Sequence, residues 1–186
     1  MNDSEILIRP AVLADCPGIL EIYNDAVLRT TASYDYEPRT LEHRQEWMTA
    51  RQADRYPIFV AVRQEAGREQ VLGWSALNPY HARRGYRFTA ENSIYVAAEL
   101  RGQGLGARLL APLLPAAEER GLHAIIAVID ASNEASLRLH ARFGFEQVGH
   151  FKQVGYKFGR WLDVIYLERL LPEPREVRED LSRTRA

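Results

Sequence analysis

At 186 residues the chain suits one domain, able to bury roughly 70% of the surface its unfolded form exposes. A formal net charge of −1, from 24 basic and 25 acidic residues, gives no electrostatic reason for a nucleic-acid or membrane partner and points to a small molecule. A lone cysteine, Cys16, excludes an intramolecular disulfide, no Cys/His cluster suggests a metal, and neither a signal peptide nor an apolar run of about 18 residues appears, so the expectation is a cytoplasmic enzyme.

Ile6 to Pro10 reads as a short strand, and Asp15 and Pro17 open a helix to about Leu28 with Ile19, Ile22, Tyr23, Ala26 and Val27 at helical spacing. Thr30 to Pro38 has turn character, and Thr40 starts a second helix to about Ala53, with Leu41, Trp47 and Met48 as apolar contacts and Glu42 to Glu46 largely solvated. Pro57 to Val62 and Val71 to Leu77 form an antiparallel hairpin; a basic loop, Asn78 to Arg87, leads to a strand at Thr89 to Val96. A helix then runs from Gly104 to about Arg120, with a kink expected near residues 108–112 because Pro112 and Pro115 remove interior hydrogen bonds. Ala124 to Ile129 is apolar throughout, as in a parallel strand buried on both faces. A helix from about Ser132 to Gly144 and two strands, 145–156 and 161–170, complete the order βααβββαβαββ; residues 171–186 read as a charged, flexible tail.

The pivot of this order is the strand–turn–helix at residues 91–106. Gly102, Gly104 and Gly106 strip side chains from the point where a helix must begin, and the first N–H groups of a helix lack internal partners, so a phosphate-bearing cofactor is the natural occupant. The G-x-G-x-G spacing misses the dinucleotide fingerprint, and no Lys-Ser/Thr follows Gly106 as a triphosphate-binding loop requires.

Arg101-x-x-Gly104-x-Gly106 resembles the acyl-CoA pyrophosphate loop, [RQ]-x-x-G-x-[GA], of the GNAT superfamily of N-acetyltransferases. Ala90-Glu-Asn-Ser-Ile-Tyr-Val96, Ser136-Leu-Arg-Leu-His140 with Phe143-Gly-Phe145, and Gly155-Tyr-Lys-Phe-Gly-Arg-Trp-Leu-Asp163 narrow the resemblance to the phosphinothricin and methionine sulfoximine N-acetyltransferase branch. It covers about residues 6–170 and implies a single GNAT domain of mixed α/β (α+β) class, a mostly antiparallel twisted sheet of about seven strands flanked by about four helices. It further implies acetyl-CoA as co-substrate, no metal, a homodimer, and direct acetyl transfer through a tetrahedral intermediate to the α-amino group of a small amino-acid analogue.

By resemblance, Ile94, Tyr95 and Val96 run beside the pantetheine arm, and Arg101, Gly102, Gln103, Gly104, Leu105 and Gly106 surround the pyrophosphate. Glu91 lies four positions before Tyr95, on the same strand face, where a carboxylate can take the ammonium proton or position the substrate. Asn133 is a helix cap whose amide also suits the pantetheine. His140, two turns later on the same face, stands where the wider superfamily commonly has a tyrosine acid, and is either that acid or structural. Resemblance assigns His81, Ala82, Arg83, Ala90, Glu91 and Asn92 to the substrate pocket and Tyr34 to an aromatic wall; arginines in residues 81–87 suit recognition of an acidic amine. The alternatives are a GNAT enzyme for an antibiotic, a polyamine or a protein N-terminus, and an acyl-CoA sensor without turnover.

Overall fold

A computed structural model describes residues 6–65, 67–174 and 177. Strands β1 (Leu7–Pro10), β2 (Ile58–Glu65), β3 (Arg68–Pro79), β4 (Thr89–Val96), β5 (Ala124–Asp130), β6 (Glu146–Lys157) and β7 (Arg160–Leu170) form one sheet, ordered β1-β2-β3-β4-β5-β7-β6. All neighbours are antiparallel except β4 and β5. Helices α1 (Cys16–Arg29) and α2 (Leu41–Ala53) cover one face, packing Cys16, Ile19, Ile22 and Met48 on Val60, Trp74 and Ala76. On the opposite face α3 (Leu105–Leu110), α4 (Leu113–Glu119) and α5 (Glu134–Arg142) meet the sheet through Leu110, Leu113, Ala117 and Leu137, against Leu77, Ile125 and Leu167.

The expected order and the expected mixed sheet are both present. Thr40 caps α2, its Oγ1 accepting from the His43 N–H at 3.2 Å. The helix after the glycine turn is broken at Ala111–Pro112, dividing α3 from α4. Pro115 is tolerated because it lies in the first turn of α4, where a backbone N–H has no intrahelical acceptor. The 42–46 stretch is not uniformly solvated: Arg44 is 4% exposed and takes the buried position, while Leu41 is exposed. The stretch expected to be a tail opens with an ordered contact, since Leu171 is buried and donates its N–H to His123 O at 2.7 Å. Apart from residue 177, the chain beyond residue 174 lies outside the described residues.

The feature that makes a site is the short parallel pairing. β4 and β5 are in register only from Thr89–Ala124 to Glu91–Ile126, after which each strand keeps just its antiparallel neighbour. A cleft opens between their C-terminal halves.

Candidate active site

The cleft has a volume of about 460 Å³ and is floored by residues 91–95 of β4 and 127–130 of β5. Side-chain alternation along β4 divides it. Tyr95 packs with Trp74 and Tyr23 on the α1/α2 side, and Glu91 and Ser93 share its parity. Ala90, Asn92 and Ile94 have the other parity; Ala90 and Ile94 pack with the α3/α4 core, and Asn92 meets His140 of α5.

Glu91 is half-buried at the end of the parallel pairing and has no hydrogen-bond or ionic partner among the described residues. Burial alone pushes its carboxyl above the usual range, making it a stronger base when ionised.

His140 is buried and both ring nitrogens are engaged. Nδ1 lies 2.8 Å from Ser136 O, a pure acceptor, so Nδ1 carries the proton. Nε2 is then an acceptor, and the Asn92 Nδ2 amide donates to it at 2.8 Å. Burial lowers the imidazole's pKa, consistent with a neutral ring. Among the described residues, two buried acceptors in the cleft have no partner: Asn92 Oδ1 and Asp130 Oδ2. The other Asp130 oxygen accepts from the Ser132 N–H at 2.7 Å. Asn133 caps α5, its Oδ1 accepting from the Ser136 N–H at 3.1 Å, and the residue also lines the cleft.

Beyond β4 the chain turns into the glycine loop. Gly102 and Gly104 adopt φ of 77° and 82°, and nothing lies within 4 Å of where a Cβ would stand. The N–H groups of Gly102, Gln103 and Gly104 have no backbone acceptor among the described residues, and those of Leu105 and Gly106 belong to the first turn of α3. A Cβ at Gly106 would come within 3.1 Å of Leu139, so α3 and α5 approach closely there. Arg101 folds back, donating Nε to Val96 O at 3.1 Å with Nη2 3.5 Å from Asp25. Bare donors, open space and a helix start fit a diphosphate.

Of the residues expected at the site, Tyr34, Glu91, Asn92, Ile94, Tyr95, Asn133 and His140 line the cleft. Val96 and residues 101–106 lie at its end and in the adjoining loop. Ala90 is core, fully buried. His81, Ala82 and Arg83 are exposed and not among the cleft-lining residues; His81 instead packs on Tyr86 with ring centroids 5.1 Å apart.

Two buried cations hold this side of the cleft together: Lys157, which the sequence offers only as part of the 155–163 signature, and Arg44, which it does not single out. Lys157 is buried and donates to Thr30 O at 2.9 Å and Ser33 O at 2.6 Å, anchoring the loop that carries Tyr34. The same loop is tied by Tyr95 Oη to Ala32 O at 3.1 Å and by Tyr23 Oη to Asp35 at 2.6 Å. Arg44 lines the cleft inside an aromatic cage. Its spacing to Trp47 and Met48, three and four residues on, was the signal that it shares their inward face.

The Acetyltransferase (GNAT) family model matches residues 19–145. The chain belongs to the GNAT acetyltransferase family. It is 47% identical to an L-methionine sulfoximine/L-methionine sulfone acetyltransferase of Pseudomonas paraeruginosa, over 87% of this chain and 92% of that one. It is 39% identical to the phosphinothricin N-acetyltransferase of Streptomyces coelicolor, over 90% of this chain and 98% of that one. An acetyltransferase of Salmonella typhimurium, solved with its cofactor acetyl-CoA, superimposes with a TM-score of 0.86 at 40% identity, covering 91% of this chain and 96% of that one. The branch read from the three sequence stretches is thus the one these GNAT relatives occupy. No helix of the described residues is long and apolar enough to cross a membrane.

Proposed function

We propose that this GNAT enzyme transfers the acetyl group of acetyl-CoA to the α-amino group of a small amino-acid analogue of the methionine sulfoximine, methionine sulfone or phosphinothricin type. The observation that carries the reading is Glu91: an unpartnered carboxylate, held above its usual pKa, where β4 and β5 part. Acetyl-CoA, when bound, supplies the thioester and the leaving thiolate. Its diphosphate suits the bare amides of residues 102–106, and its pantetheine amides suit Asn133 and the unpaired edges of β4 and β5.

The chain's own residues then do three things. The wall of Tyr34 and the rings of α1, α2 and β3 exclude water and orient the acceptor amine. Glu91 takes one proton from the ammonium, directly or through water, so that nitrogen's lone pair is free for attack; the N–C bond forms, the C–S bond breaks, and the second amine proton leaves with the thiolate as the free thiol. His140 positions Asn92: with its proton committed to Ser136 O and its lone pair to the Asn92 amide, the neutral ring holds that side chain at the cleft rather than donating a proton. A cytoplasmic enzyme of small molecules, with no nucleic-acid or membrane partner, is in keeping with the near-zero charge.

The expected homodimer has a candidate surface in the β6–β7 hairpin, where Phe151, Val154, Tyr156, Phe158 and Trp161 are exposed together. Sedimentation of wild type and Trp161→Glu tests it: a dimer that becomes a monomer supports this surface, and an unchanged sedimentation coefficient excludes it.

Thiol release from acetyl-CoA tests the function, with methionine sulfoximine, methionine sulfone, phosphinothricin, methionine, glutamate and an aminoglycoside as acceptors. Saturable turnover confined to the amino-acid analogues supports the assignment. Turnover of the aminoglycoside alone, or acetyl-CoA binding with no acceptor used, overturns it.

A further inference from the structure

The stretch 155–163 carries part of the family resemblance but supplies no cleft-lining residue. Its first half instead meets the loop that carries Tyr34. Of the twelve residues of β6 only Gly155 and Lys157 are buried, and their spacing of two puts them on one face of the strand. At Gly155 the Tyr34 ring takes the space of a side chain, since a Cβ there would stand 2.3 Å from its Cε2. At Lys157, 2% exposed, the ammonium donates to Thr30 O at 2.9 Å and to Ser33 O at 2.6 Å. Neither carbonyl accepts a backbone hydrogen bond among the described residues, and no carboxylate there lies within ion-pair distance of Nζ. Burying an ammonium costs more than burying an apolar side chain of similar length, so packing alone does not account for a lysine at this position.

The loop is tied on the other side of the cleft as well. Tyr95 of β4 donates to Ala32 O at 3.1 Å, and Tyr23 of α1 donates to Asp35 at 2.6 Å. In the sheet order β4 stands on one side of the parting strands, and β6 lies beyond β5 and β7 on the other. Residues 31–35 therefore line the cleft while being held from both of its sides. On the β6 side Tyr36 Oη donates to Tyr156 O, after Tyr34, whereas Lys157 grips two carbonyls three residues apart just before it. That grip fixes the path of the chain into Tyr34.

We infer that Lys157 is a positioning residue for the acceptor: by clamping Thr30 and Ser33 it holds the Tyr34 ring against Gly155, where the ring walls the cleft. Glycine makes room for the ring and lysine pins the backbone that delivers it. Lys157 itself touches neither substrate nor cofactor and acts through the loop. Its part in acceptor binding rests on the acetyl-transfer reading given above, whereas the clamp stands on the hydrogen bonds alone.

The chain has two lysines, Lys152 and Lys157, and Lys152 is exposed, so an amine-reactive ester followed by mass spectrometry reads each separately. Wild type is labelled with and without methionine sulfone, coenzyme A replacing acetyl-CoA so that nothing turns over. Burial lowers the Lys157 pKa, so slow labelling reports occlusion and not protonation. Lys157 should label far more slowly than Lys152. Methionine sulfone at about ten times its Kd should slow Lys157 about tenfold further and leave Lys152 unchanged, because the loop must release the acceptor before the amine is uncovered. Labelling of Lys157 as fast as Lys152 overturns the clamp, and slow labelling that bound methionine sulfone does not alter overturns its link to the acceptor.

Kinetics of Lys157→Met and Lys157→Arg, with melting curves, give the second readout. In folded Lys157→Met, acceptor kcat/KM should fall by about 10- to 100-fold while the KM for acetyl-CoA holds. Lys157→Arg keeps the charge and the N–H donors and should recover part of the loss. Wild-type acceptor kcat/KM in folded Lys157→Met overturns the proposal, as does an equal loss in the constants for both substrates. Should Lys157→Met fail to fold, the labelling of wild type decides alone. If none of the amino-acid analogues binds or turns over, the acetyl-transfer reading falls and the acceptor role with it, while labelling of the free protein still decides the clamp.

Discussion

Gly155→Ala examines whether Tyr34 is a wall of the acceptor pocket. A methyl group built on Gly155 would lie 2.3 Å from Tyr34 Cε2, 2.9 Å from Cζ and 3.0 Å from Cδ2. Ordinary contact begins near 3.4 Å, so the ring must retreat by about 1 Å. The retreat is cheap, because Tyr34 is 37% exposed and its ring can swing toward solvent; the overpacking should cost about 1 kcal/mol, a few degrees in Tm. The catalytic effect should be larger. A displacement of about 1 Å in a group that orients the reacting amine can reduce rate by up to about 100-fold. The assay is steady-state kinetics for both substrates alongside a melting curve. Acceptor kcat/KM should fall steeply in a folded protein while the KM for acetyl-CoA holds. A folded variant with wild-type acceptor kcat/KM would refute the role given to Tyr34.

Two further substitutions separate the remaining parts of the site. Gly104→Ala meets no atom within 4 Å but forces a side chain into φ of 82°, so it should cost about 1 kcal/mol of stability and weaken acetyl-CoA binding; calorimetry showing unchanged affinity would deny the loop its diphosphate. His140→Gln tests the neutral imidazole through pH. The folded-state pKa of His140 lies below the ordinary 6.5, so its protonation is coupled to unfolding: the stability it contributes is present above 6.5 and lost as pH falls through the folded value. The stability gap between wild type and variant should therefore narrow on acidification below 6.5, and a gap that widens there would mean the ring is held as the cation.

The local signals in the sequence were strong where chemistry and backbone coincide. β4 ends in a glycine-rich turn, β5 is uniformly apolar, Thr40 caps its helix, and Pro112 breaks the one after the turn; each is decided within a few residues. The cleft itself is not such a feature. It exists because the β4–β5 pairing stops at Glu91 and Ile126, and the divergence of two strands more than thirty residues apart leaves no mark on either. The same holds for the two buried cations. Arg44 and Lys157 carry residue types that normally face water, and their burial depends on Tyr23 and Trp74 in one case and the carbonyls of Thr30 and Ser33 in the other, brought together across the fold. Loop 81–87 gives no packing signal of this kind: Tyr80 and His81 each pack on Tyr86 and the loop is exposed, so its expected part in reading the acceptor rests on the resemblance alone.

The most direct test of Glu91 as the base is the pH profile of acceptor kcat/KM for wild type and Glu91→Gln. A general base must be ionised to act, so wild-type activity should fall on the acid side with an inflection above the ordinary carboxylate range, where burial places Glu91. The variant should lose about 100-fold or more in rate and lose that inflection, with acetyl-CoA affinity intact. A variant that keeps both the wild-type rate and the acid limb would contradict the claim that the carboxylate at the parting of β4 and β5 carries the reaction.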